Sequence, residues 1–196
     1  DQVVYQRGGP DMRVGVLGGG QTLMGAITAA GLTANLQLCL DAGDPLSYPS
    51  AGKWLDRSGN GYDFNRGDGA TSTTFPTFVP LGAQSYWSSD GADYFTYDTT
   101  NETWMNNLHK NNAAFTFFLS FIRSGTTGSV LGTFGSGSGR PGVGFATGSG
   151  GGGVPQFVVG NDLAFITIAT GDTAFSSTTY NLCGVSVNEA TGAGGG

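Results

Sequence analysis

The chain has 196 residues and a formal net charge of −6; 36 residues are glycine, about two and a half times ordinary usage, and only 11% are charged, about half the usual share. With 8 scattered basic residues it lacks the Lys and Arg density by which nucleic-acid binders neutralise phosphates. An apolar share of 38% with 12% aromatics excludes a disordered chain, and no run approaches the ~20 apolar residues needed to cross a membrane.

From the N-terminus, RGGPDMRVGVLGGG (7–20) places a short strand, MRVGVL, between turn signals. TLMGAITAAG (22–31) reads as two helical turns, with Leu23 and Ile27 on one face and Gly31 as the C′ stop. Gly18, Gly19, Gly20, Gln21 and Thr22 break the apolar run that a secretory leader would need. Residues 1–35 thus form an apolar arm that cannot bury itself. It is expected to pack on the main domain or insert into a neighbouring subunit.

From Leu36 the period changes to two. In LQLCLD (36–41), Leu36, Leu38 and Leu40 face one way while Gln37, Cys39 and Asp41 face the other. Asp41, Asp44 and Asp56 then lie among glycines, followed by Asn60 and Asp63. Strand patterns recur at 74–80, 93–98, 114–123, 129–135, 142–147, 155–160, 163–170 and 180–187. In AFTFFLSFIR (114–123), Phe115, Phe117, Leu119 and Phe121 alternate with Thr116, Phe118, Ser120 and Ile122. Both faces are apolar enough to predict a central strand. GSGSGRPG (135–142) and GSGGGGVP (148–155) read as hairpin or loop segments. One helix is predicted here, ETWMNNLHK (102–110), capped by Asn101 or Thr100 and carrying Trp104 and Leu108 as its i, i+4 pair. Eight or nine short strands between turn signals predict an all-β protein, a two-sheet antiparallel jelly-roll sandwich with an extended N-terminal arm. Cys39 and Cys183 each sit in an apolar run and are expected as buried thiols, with a single long-range bridge as the alternative.

LCLDAGDPLSYPSAGKWLDRSGNGYDF (38–64) resembles the opening of concanavalin A-like jelly-roll domains of the laminin-G type. The matching residues are Leu38, Leu40, Asp41, Ala42, Trp54, Asp56, Ser58, Gly59, Asn60 and Gly61. YWSSDGADYFTY (86–97) is similar to that family's strand pair with Gly91 at the turn. AFTFFLSFIR is similar to its central strand, and TTYNLCGVSVNEATG to the strand before its last hairpin. The likeness spans about 36–191 and is nearest to the versions carried on bacteriophage virion proteins. It implies an arm, 1–35, and a jelly-roll domain, 36–196. After Asn188 the family pattern would add a hairpin and a closing strand; ATGAGGG leaves no apolar run for them. The missing strands are expected in sequence beyond this segment, an incomplete jelly roll being the alternative.

The residue types offer little chemistry. Glu102 and Glu189 are the only glutamates, so the paired carboxylates of a retaining glycosidase are not available on one strand. Asp90 and Asp93 flank Gly91 and read as turn-forming side chains. His109, the single histidine, has no serine elbow near it and reads as the solvated end of the 102–110 helix. Calcium is the one metal worth weighing, through Asp56, Asn60 and Asp63, set against an Asx-type corner that satisfies backbone donors. Otherwise no cofactor is expected. Tyr86, Trp87 and Asp90, beside a polar turn, are the candidates for holding a sugar, while Trp54 and Trp104 read as core.

The reading that follows is a non-enzymatic structural or accessory virion protein, of the phage capsid or tail decoration or fibre type. Residues 1–35 would anchor it to other virion proteins, in a many-copy assembly with no membrane or nucleic-acid partner. The alternative is a carbohydrate-binding adhesion module, virion-borne or secreted, that recognises host-surface glycans.

Overall fold

Alternating apolar residues punctuated by glycine favour short ladders over helices. In the computed structural model the described strands all pair antiparallel, and the described residues are mostly β, with one short α-helix and a 3-10 turn at Ser72–Thr74. The structure describes residues 2–6, 13–17, 22–48, 52–98, 104–105, 108–110, 112–123, 128–133, 142–147, 154–160, 165–169, 174–188 and 193–195. The chain divides into two compact units, Asp1–Glu102 and Thr103–Gly196. The segment read as an arm, 1–35, falls within the first.

In the first unit, β1 (Gln2–Gln6) and β2 (Arg13–Leu17) form a two-stranded ladder in which Gln2 pairs with Leu17 and Gln6 with Arg13. The sequence reading anticipated β2 but not its partner. Helix α1 (Leu23–Ala29) has the expected limits. The Thr22 side chain accepts from the Gly25 amide at its N-terminus, and Gly31, at φ +68°, takes the left-handed conformation beyond the end. Short strands β3 (Lys53–Trp54), β4 (Phe64–Arg66), β5 (Thr77–Val79), β6 (Tyr86–Ser88) and β7 (Phe95–Tyr97) follow. They make two sheets, ordered β3-β4-β7 and β5-β6.

Two expectations are corrected here. Residues 36–40 make no strand, because side chains take their backbone groups: Asp56 binds the Cys39 amide, and Asn60 binds the Leu36 and Gln37 carbonyls. Within that segment Cys39 is buried and the leucines are only half-buried, the reverse of a leucine-faced strand. The two flanks of the Gly91 turn likewise do not pair with each other. β6 pairs with β5 and β7 with β4, so the turn joins two sheets instead of closing a hairpin.

In the second unit, β8 (Ala114–Phe121), β13 (Asn181–Asn188) and β14 (Ala193–Gly195) form one sheet, ordered β14-β13-β8. The other is ordered β12-β11-β10-β9, from β9 (Gly128–Gly132), β10 (Gly142–Thr147), β11 (Pro155–Gly160) and β12 (Phe165–Ala169). Their apolar faces share one core. Val143, Phe145, Phe157 and Val185 are buried at its centre, packed by Phe115, Phe117, Leu119, Phe121, Cys183 and Val187. Phe117 meets Phe145 edge-on at 6.0 Å and Phe157 at 5.9 Å, arrangements that suit the ring quadrupoles.

Three further corrections fall here. β8 is not central: among the described residues it ends its sheet, and Phe118 on its outer face is 72% exposed. β14 forms from glycine-rich sequence where no strand was expected, since a ladder needs backbone groups and not apolar side chains. Around residues 102–110, Trp104 and Met105 take a 3-10 turn and 108–110 a turn; the rest of the predicted helix and its caps lie outside the described residues. Asparagine there favours turns over helix interiors. The loops expected at 135–142 and 148–155 also lie almost wholly outside the described residues.

Phe145→Ala is expected to cost about 3–5 kcal/mol in chemical denaturation. Phe118→Ala, on the opposite side of the same sheet pair, should cost about 1 kcal/mol or less. The reverse ranking would mean that the alternation on β8 is assigned to the wrong faces.

Candidate functional site

The candidate calcium and sugar residues all lie in the first unit, at two places. The first is the loop from 56 to 63 that connects β3 to β4. Asp56 is only 8% exposed, and its carboxylate accepts from four protein donors. Oδ1 takes the amides of Cys39 and Ser58, both at 2.9 Å; Oδ2 takes the Ser58 hydroxyl at 2.6 Å and the Tyr62 amide at 3.2 Å. The backbone amide of Asp56 donates to Asp63 Oδ1 at 3.0 Å. Asn60 turns its amide nitrogen to the carbonyls of Leu36 and Gln37 and to Ser58 Oγ, all within 2.9–3.1 Å. The bond from Ser58 N to Asp56 Oδ1 is an Asx turn; the bonds to Cys39, Leu36 and Gln37 fasten the 36–40 segment to the loop, and the others brace the loop internally.

That geometry does not fit calcium. A cation needs carboxylate lone pairs turned toward it, whereas each Asp56 oxygen already faces two hydrogens, and Asn60 offers carbonyls its donor end. Among the described residues no group of three or more His, Cys, Asp or Glu is placed to hold a metal ion. The neighbouring acids are engaged in the same way. Asp41 Oδ1 accepts from the Gly43 amide, and its Oδ2 accepts from the Leu23 amide at 2.8 Å, tying the first turn of α1 to this segment. Asp44 is buried, accepts from the Leu46 amide and pairs with Arg57 Nε at 2.9 Å. Cys39 lies beneath this corner as a free thiol. Burial, with smaller contributions from Asp41, Asp56 and Asp44, pushes its pKa up to about 11, leaving an inert neutral group. Cys183, also a free thiol, is raised by burial alone.

The second place is the strand β6 and the turn after it. Tyr86 and Trp87 are adjacent on a strand and so point to opposite faces. Tyr86 is 37% exposed. Trp87 turns inward, its ring centroid 4.4 Å from Tyr48, 5.1 Å from Phe78 and 5.0 Å from Phe95. Trp54 joins the same cluster at 5.1 Å from Phe95. Arg66 stands 5.5 Å over the Trp87 ring and 5.0 Å over Phe75, with Nε and Nη2 both donating to the Pro76 carbonyl. Trp87 is therefore part of the core of this unit, and the structure does not bring Tyr86 and Trp87 together as a platform. Asp90 Oδ1 accepts from the Ala92 amide at 2.9 Å and its own amide donates to Asp93 Oδ2, so both acids shape the bend at Gly91, where φ is +97°.

A third turn was not singled out by its sequence. Asp68 accepts from the Thr71 amide at 2.6 Å, the Thr71 hydroxyl at 2.7 Å and the Ala70 amide at 2.9 Å. These bonds, Thr71's first, hold its pKa down at about 2 from an ordinary 3.8. Gly67 before it sits at φ +54°, and a Cβ there would collide with Thr74 and Phe75. His109, expected at a solvated helix end, is half-buried, and its Nδ1 is enclosed without a hydrogen-bond partner.

Sequence reasoning missed one feature in the second unit. On the outer face of the β8–β13 ladder, Phe118 lies across Gly184, beside Leu182, which is 50% exposed. The signal was present as a phenylalanine at the solvent parity of AFTFFLSFIR, and was read there as evidence of a second buried face. No protein-family model, curated protein or solved structure matches the chain.

Asp56→Ala should destabilise the first unit by about 2–4 kcal/mol, because it orphans a buried amide and unfastens 36–40. Millimolar calcium should leave the melting temperature of the parent protein unchanged; a clear rise would show that the corner does take a cation. The Asp68 carboxyl is lowered in the folded state, so its contribution is complete above about pH 3.8 and is lost as pH falls toward about 2. The Thr71 amide resonance should therefore titrate with a midpoint near 2, and that step should vanish in Asp68→Asn.

Proposed function

We propose that the chain is a non-enzymatic structural or accessory protein of a virus particle, of the phage capsid or tail decoration or fibre type, present in many copies. In this reading the two layered sheets of the second unit belong to a two-sheet antiparallel jelly roll of the concanavalin A-like, laminin-G-like kind. Residues 1–35 are the anchor to other virion proteins. The observation that carries the proposal is how the polar side chains are used. The acids that drew attention in the sequence hold bends and backbone, while aromatic and aliphatic groups stand in water on strand faces and loops.

The arm supports the same reading. Leu23 and Leu32 are exposed, Leu32 to 65%, on a segment fastened to the rest of its unit through Asp41. Apolar groups held on an ordered segment suit a docking element. Low charge suits close packing against other protein, and a particle at the cell exterior is the localisation that follows.

Mass spectrometry of purified particles should find the chain as a many-copy component. Deleting residues 1–35 should remove it from particles, with circular dichroism to check that the remainder stays folded. Because the deletion also removes the bond from Leu23 to Asp41, Leu32→Ser serves as a milder second variant. Unaltered incorporation of both variants, or absence of the chain from particles, would overturn the proposal. A specific response on a glycan array that Tyr86→Ala abolishes would instead favour the adhesion module.

A further inference from the structure

The outer face of the β8–β13 ladder carries Ala114, Thr116, Phe118 and Ser120, paired across the strands with Asn188, Ser186, Gly184 and Leu182. The alternation continues to Ile122 and Tyr180, both exposed. A Cβ on Gly184 would stand 2.7 Å from Phe118 Cε1, so the ring lies flat along the sheet instead of projecting from it. Thr116 Oγ1 donates to Ser186 Oγ at 3.0 Å, so these two hydroxyls are bonded to each other. The result is a surface on which Phe118, Leu182 and Ile122 stand exposed among small polar groups, and none of these side chains is charged at neutral pH.

Charge is divided unequally between the two units. Of the 14 acidic and 8 basic residues, 11 and 5 lie in Asp1–Glu102, and three of each lie in Thr103–Gly196. The first unit thus carries the whole net charge of −6, and the second, which bears the Phe118 face, carries none.

We propose that this face is a contact between two copies of this chain, stacked sheet on sheet through Phe118, Leu182 and Ile122. The inference rests on the many-copy assembly reading above and names one of its contacts. Charge selects the occupant. A basic partner would be drawn to the acidic first unit and would find no counter-charge here. A second copy brings an identical uncharged face with the same exposed Phe118, Leu182 and Ile122, and the neutral units that carry these faces approach without like-charge repulsion between them.

The extent of the face sets the strength. Eight paired residues at about 3.4 Å rise on two strands about 4.8 Å apart span roughly 260 Å². A stable interface buries about 800 Å² per partner. The contact is therefore weak between two free copies and gains strength where other attachments hold many copies together.

Sedimentation equilibrium of the full chain, from micromolar to millimolar concentration at low and high salt, tests this. The average mass should rise toward a dimer as concentration increases, and high salt should not reverse it. Phe118→Ser and Leu182→Ser should each move the transition to about tenfold higher concentration or abolish it. Tyr97→Ser, at an exposed position of the first unit, should leave it unchanged. Melting curves establish that each variant is folded; if Phe118→Ser is not, Leu182→Ser decides. A monomer at every concentration, unchanged association in the folded variants, or association dissolved by salt would each overturn the proposal. Particle incorporation without self-association would sink this contact alone, whereas self-association of a chain absent from particles would sink only the virion reading.

Discussion

Successive residues of a strand cannot share a face, and most of what distinguishes this protein follows from that constraint. In the second unit it sends Phe115, Phe117, Leu119 and Phe121 toward Phe145 and Phe157, and by the same step sends Phe118 outward. In the first it separates Tyr86 from Trp87, giving one ring to solvent and the other to the aromatic cluster around Tyr48 and Phe95. Burial of one parity stabilises each sheet. The other parity is left facing solvent, as the exposed Phe118 and Tyr86 show.

Glycine and aspartate divide the remaining work. Short strands need frequent bends, and bends leave amides that must be satisfied without a ladder. Asp56, Asp41, Asp44, Asp68 and Asp90 each accept from nearby amides, so carboxylates that look chemically available in a linear reading are committed once the chain folds. The corner around Asp56 shows the consequence most clearly. Asp56 takes the Cys39 amide and Asn60 the Leu36 and Gln37 carbonyls that LQLCLD would otherwise have given to a strand, and Cys39 is buried in place of the leucines.

Local sequence was a good guide to the long strands of the second unit. The patterns at 114–123, 142–147, 155–160 and 180–187 match β8, β10, β11 and β13 to within two residues at either end, because each has enough alternating positions to register a period. The helix at Leu23–Ala29 was equally legible, since Thr22 and Gly31 mark its two ends by local chemistry. Short strands were harder. Two or three residues hold no period, and β14 is one alanine and two glycines, so the backbone pairing that creates it leaves no mark on composition.

The sequence by itself determined the class of structure, the turns and the identity of most core residues, since all three depend on neighbours within a few positions. Tertiary structure alone decided which strands pair, so that the Gly91 bend joins two sheets and β8 ends its own. It also decided which carboxylates are committed, because the donors that engage Asp56 include Cys39, 17 residues away. Alternation states that two faces exist; only packing from distant segments says which of them is covered. For Phe118 that physical fact, unreadable from its neighbours, turns a core residue into a surface one.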